Sequence, residues 1–254
     1  MFILDCESYE STLTSISNAY EVDKDKLIEF LEWFDMDRFV ELNVYLTASQ
    51  VTQKAFEHYF NEQVNFFDGA YWFHLSRTSN IDPFKDGVLP LRQSEGLVWK
   101  VLFDAVGDEA IRCNLAKLHR DGVPDSLYQM RTANAIHHGP YAMLVKDAAF
   151  SSGTLCNHDY LGLPELVEDI CNGYKIRYGH EIHEYIQSCL SPCVVKFFSE
   201  KRLDDDLIGV AMVYAWCKAN DHELFSYANT CIDMAGNPVG VDRISKIEFL
   251  TKID

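Results

Sequence analysis

The sequence predicts an α+β fold with a mixed or antiparallel sheet behind an N-terminal helical region. Three observations predict it. Apolar positions at helical spacing gather in the first part of the chain. Short runs rich in aromatic and β-branched residues recur after it. Strands and helices then intersperse without a strict βαβ rhythm. The texture changes at Asp68-Gly69, so the expected division is an acidic helical region, 1–68, and an α+β candidate catalytic domain, 69–254. A chain of 254 residues that is 48% hydrophobic can bury a full core, which argues against wholesale disorder.

Leu27, Phe30, Leu31 and Phe34 follow the i, i+3, i+4, i+7 rule, with Asp23 as the N-cap candidate. A second helix is expected from Thr47, with Gln50 as its capping-box partner, running to about Tyr59 and burying Val51, Ala55 and Tyr59. Ala70 to Leu75 suits a short strand. Asp82-Pro83 and Asp86-Gly87 then punctuate a turn-rich stretch. Gly96 to Val106 reads as a helix with Leu97, Val98, Val101 and Leu102 on one side, and 120–140 as a loop holding a short helix. Tyr141 to Lys146 is expected to be a strand. Pro164 to Cys171 reads as a helix with proline at its start and Gly173 just past its end. His180 to Leu190 is expected to be helical with Ile182, Ile186 and Leu190 inward, and Cys193 to Phe198 a strand. Leu207 to Trp216 fits either strand or helix. Gly236 and Pro238 mark a turn before a last strand, Ile244 to Leu250.

The eight cysteines are scattered without a C-x-x-C pair, and most sit beside apolar residues as buried thiols do, which argues against a disulfide framework. No apolar run approaches the roughly 20 residues needed to span a bilayer, and Met1 to Glu10 is acidic where a signal peptide would be basic. The expectation is a cytoplasmic protein with no membrane contact. Net charge is −17, and the first 68 residues, with 14 acidic and 4 basic side chains, hold −10 of it. Phosphate backbones would be repelled there.

The segment with most chemistry is Tyr71-Trp72-Phe73-His74-Leu75-Ser76-Arg77, followed by Pro83-Phe84-Lys85-Asp86-Gly87-Val88-Leu89-Pro90-Leu91. A histidine on an aromatic strand is followed by a polar turn and a Gly-Val-Leu-Pro phrase. With His138-Gly139-Pro140-Tyr141 and the closing run Glu223 to Leu250, this resembles the ADP-ribosyltransferase-fold, toxin-like family. The resemblance implies a sheet core of ADP-ribosyltransferase type and NAD as substrate. It places His74, Ser76 and Arg77 on the cofactor side, Tyr141 on the nicotinamide and Glu223 as the catalytic carboxylate. Tyr160 or Tyr174 fits the tyrosine role equally well. No R-S-E triad is present, and the stretch from Tyr141 to Glu223 holds two extra helices.

These residue types suit the reaction. Breaking the nicotinamide–ribose bond builds positive charge on the ribose, which a carboxylate stabilises. An imidazole hydrogen-bonds the ribose side, arginine holds pyrophosphate bidentately, and an aromatic ring pins nicotinamide. The resemblance implies transfer of ADP-ribose (a glycosyltransferase reaction) to a macromolecular acceptor, protein or nucleic acid, in a toxin or antiviral-defence setting. A regulatory or antitoxin partner would fit the acidic N-terminal part. Each residue also has a plain structural reading: strand histidine, turn arginine, core tyrosine, solvated carboxylate. Two other functions fit. One is a non-enzymatic interaction or defence-complex protein. The other is a metal-dependent hydrolase using His137, His138, Cys156, His158, Asp159, His180 and His183. H-E-x-x-H is absent, so no metal site is assigned. P-loop, G-x-G-x-x-G and G-x-S-x-G motifs are absent too.

Overall fold

The computed structural model describes residues 2–61, 67–79, 83–133, 139–200 and 206–251. The helices among them are α1 (Tyr9–Tyr20), α2 (Lys24–Trp33), α3 (Met36–Leu42), α4 (Ala48–Phe60), α5 (Leu91–Ala105), α6 (Glu109–Asp121), α7 (Ser126–Ala133), α8 (Ser152–Leu155), α9 (Glu165–Tyr178), α10 (His183–Cys189) and α11 (Asp206–Ala219). The strands are β1 (Ile3–Leu4), β2 (Gly69–Thr78), β3 (Tyr141–Met143), β4 (Ser191–Ser199), β5 (Cys231–Asp233) and β6 (Ile244–Phe249). The architecture is mixed α/β with an open sheet in the order β5-β3-β2-β4-β6, and β1 pairs with β2 outside that path. β2 and β3 are antiparallel with Phe73 opposite Met143, and β1 runs parallel to β2 with Ile3 opposite Gly69.

The chain divides into two compact units, each built from three stretches. Unit 1 holds 1–73, 142–157 and 197–232; unit 2 holds 74–141, 158–196 and 233–254.

In unit 1, the N-terminal helices gather on α11. Its residues from Leu207 to Cys217 are all buried, so it carries apolar side chains all round instead of on a stripe. Gly209 permits the close crossing with α4: a Cβ there would lie 2.6 Å from the Ser49 carbonyl oxygen. Polar ties fix the ends. Ser49 Oγ donates to Asp206, the Trp216 indole N–H donates to the Phe34 carbonyl at 2.8 Å, and the Asn220 amide donates to Leu31. The rings of Tyr20, Phe30, Phe34, Phe56 and Phe60 pack beside them. Asp23 and Thr47 cap α2 and α4, and Gln50 closes the capping box. Val51 is buried, Ala55 half-buried and Tyr59 exposed; Phe56 takes the inward position expected of Tyr59.

In unit 2, α5, α6, α7, α9 and α10 enclose a core around Trp99, Leu115, Ile170 and Ile186. The Trp99 indole N–H donates to the Tyr128 hydroxyl, which donates to Glu95 at 2.7 Å. Helix α9 does not stop before Gly173. That glycine is buried mid-helix, where a Cβ would stand 2.3 Å from Val123 Cγ1, and the helix ends at Gly179 in the left-handed region. α5 begins at Leu91, five residues before its expected start, behind Pro90. α10 begins at His183, so His180 precedes the helix instead of sharing it.

All eight cysteines are free thiols, and burial pushes Cys171, Cys193 and Cys217 up to about 12. No helix among the described residues is long and apolar enough to cross a membrane.

Candidate functional site

The strand pleat of β2 sorts the residues expected to face a cofactor. His74 and Ser76 alternate onto one face, while Arg77 falls on the other with Leu75. The His74 Nδ1–H donates to the Tyr141 carbonyl at 2.8 Å. A carbonyl can only accept, so Nδ1 carries the proton and, in the neutral ring, Nε2 presents a bare lone pair. Burial lowers the His74 pKa, and the Tyr141 hydrogen bond offsets only part of that. Neutral imidazole is therefore the resting form near pH 7. The Phe84 ring stands edge-on to it at 6.3 Å.

Tyr141 opens β3, and its side chain is partly open to solvent. Burial, then the nearby Asp233 carboxylate, then the charge of Glu165 raise its pKa. The phenol thus stays protonated beside Asp233. Asp233 accepts from the Ala235 N–H at 2.8 Å, which fixes the turn after β5. The backbone alongside is tied by Met234 N–H to the Pro140 carbonyl and Gly236 N–H to the Gly139 carbonyl. Glu165, at the start of α9, pairs at 3.1 Å with Arg131, which also binds the buried Asp169. Burial works against the Arg131 charge, and the Asp169 and Glu165 carboxylates more than offset it. Burial pushes the Asp169 carboxyl up against the pull of Arg131. Tyr160 also contributes to the field at Arg131. Tyr174 is buried in the helical core, its hydroxyl accepting from Asn114.

The Gly-Val-Leu-Pro phrase has a local reason. Val88 and Val239 exchange backbone hydrogen bonds of 3.0 and 2.9 Å. Gly87, at φ +87°, has the Val239 carbonyl oxygen 2.1 Å from where a Cβ would sit, so only glycine fits. Three stretches far apart in sequence thus meet within unit 2: the His74–Leu91 stretch, Gly139–Tyr141, and the run from Asp233 to Val239.

Arg77 is committed to the chain. Its two terminal nitrogens donate to the carbonyls of Leu161, Gly162, Gln187 and Leu190, and burial lowers its pKa. Its Nε is buried with no hydrogen-bond partner among the described residues. Glu223 is exposed in the loop after α11 and belongs to unit 1. Asp233 was missed by sequence reasoning. Nothing local distinguishes it, because the residue it stands beside, Tyr141, lies far from it in the sequence.

The described histidines do not gather. His158 Nε2–H donates to the Leu163 carbonyl at 2.6 Å, and His183 Nε2 bonds Asn172. Among the described residues no three His, Cys, Asp or Glu side chains are grouped to hold a metal; His137 and His138 lie outside those residues. Unit 1 holds an open groove of about 550 Å³ lined by Asp5, Ser8, Ser11, Thr14, Ser15 and Tyr71, among others. Its serine and threonine hydroxyls are engaged by the backbone of α1.

Comparison with known protein families, with curated proteins and with solved structures finds no match to this chain.

Proposed function

We propose that the chain binds NAD and transfers ADP-ribose to a macromolecular acceptor, with unit 2 as the catalytic unit. The observation that carries the reading is the placing of Tyr141 between His74, whose ring donates to the Tyr141 backbone carbonyl, and the Asp233 carboxylate beside its phenol. His74 Nε2 accepts from a ribose hydroxyl. The Tyr141 ring, partly open to solvent, offers its face to nicotinamide. Asp233 stabilises the positive charge that grows on the ribose as nicotinamide leaves. Ser76, on the His74 face, is the further hydroxyl in reach of a ligand there. Arg77 serves the site indirectly, by fixing the strand that carries His74. The carboxylate role thereby moves to Asp233 from Glu223, the residue the family resemblance suggests. A toxin-like or defence setting remains part of this proposal, resting on that resemblance alone.

The test is NAD calorimetry together with nicotinamide release on the full chain. Wild type binds NAD saturably, and His74→Ala abolishes binding. Asp233→Asn keeps binding but lowers release by about 10²- to 10³-fold, the scale of losing one charge-stabilising group. Glu223→Gln leaves release unchanged. Loss of release in Glu223→Gln alone would return the catalytic role to Glu223. Folded wild type that binds no NAD would reject the enzyme reading in favour of an interaction protein.

A further inference from the structure

The N-terminal helices expose several large apolar side chains. Tyr45 is 97% exposed, Val44 74%, Leu42 71% and Trp33 67%. Trp33 lies tilted against the exposed Tyr59 with ring centroids 5.9 Å apart. Leu42, Val44 and Tyr45 follow at the end of α3 and in the turn to α4, and α3 packs on α4. Soluble proteins rarely leave so much apolar side chain in water without a use. Tryptophan and tyrosine are the residues that most often anchor partners.

The charge around this surface says what kind of partner fits. Glu29, Glu32, Asp35, Asp37 and Glu41 are exposed on the same helices, against a single exposed cation, Arg38, between 29 and 41. A phosphate backbone is repelled by such a rim, and so is an anionic membrane surface. A second copy of this chain would bring like charges together, since the first 68 residues alone hold −10. We infer that this surface is a docking site for a basic amphipathic helix of a partner protein. Its apolar stripe would cover Trp33, Tyr45 and their neighbours, and its lysines or arginines would face the carboxylates.

The test titrates the full chain with a synthetic leucine–lysine amphipathic helix of roughly five turns at about 0.15 M salt. A leucine–glutamate helix of the same pattern is the control. The expected result is saturable binding of the basic helix only, read by tryptophan fluorescence, with hydrogen-exchange protection gained in α2 to α4. Trp33→Ala with Tyr45→Ala, and separately Glu32→Gln with Asp37→Asn and Glu41→Gln, each weaken binding by about tenfold or more, about 1.4 kcal/mol. All five side chains are exposed, so both variants keep the fold. No saturable binding, equal binding of the acidic control, or affinity indifferent to both variants would overturn the inference. So would a concentration-dependent dimer in sedimentation that Trp33→Ala with Tyr45→Ala abolishes, which would give the surface to a second copy.

Discussion

His74 shows how one hydrogen bond fixes what a side chain can do. The Tyr141 carbonyl holds the proton on Nδ1, and burial holds the ring neutral. A histidine whose folded pKa lies below its unfolded value contributes full stability above about pH 6.5 and loses it as pH falls toward the folded pKa, because the unfolded chain takes up the proton first. Wild type is therefore expected to lose stability on going from pH 7.5 to 5.5, with this residue adding at most about 1.4 kcal/mol per pH unit. Urea unfolding of wild type and His74→Gln at both values checks it: the variant should show the shallower pH dependence. An equal dependence would mean that His74 titrates alike in both states. Arg77 makes the complementary point. Four carbonyls, two from the turn at Leu161-Gly162 and two from the end of α10, converge on one guanidinium, which puts its charge to use as a brace within unit 2.

At the scale of elements, α9 is held by the absence of a side chain. Gly173→Ala would favour the helix by propensity, by about 1 kcal/mol. It would also set a methyl 2.3 Å from Val123 Cγ1 in a closed core, where overpacking costs about 1–3 kcal/mol. The clash is expected to win, lowering the unfolding midpoint in denaturant; a midpoint raised by the substitution would show that Val123 yields freely. The same glycine explains a misreading, because next to a periodic run it signals a helix end. What was legible was local: the caps Asp23 and Thr47, the aromatic strand, the last strand. Leu207 to Trp216 was ambiguous because a helix buried on every side has no apolar stripe to read. Of the site, His74 and Tyr141 stood out by residue type and setting. Asp233 did not, since only the long-range pairing of its strand makes it a partner.

At the scale of the whole molecule, each unit is assembled from three separated stretches, and in unit 1 the pieces meet on α11. The amides of α11 are expected to exchange with solvent only on global unfolding, while 36–46, largely exposed, exchange early. Hydrogen exchange followed by mass spectrometry checks this, and α11 exchanging as fast as α3 would show that unit 1 has another centre.

The position of α11 late in the chain also has a consequence in time. α4 ends at Phe60 and α11 at Ala219, so at about 5–20 residues per second a ribosome takes roughly ten to thirty seconds between them. Throughout that interval the inner faces of α1, α2 and α4, with Leu13, Ile16, Leu31 and Phe56, have no helix to close over them. The nascent chain therefore holds an uncovered apolar face until its last long helix is made.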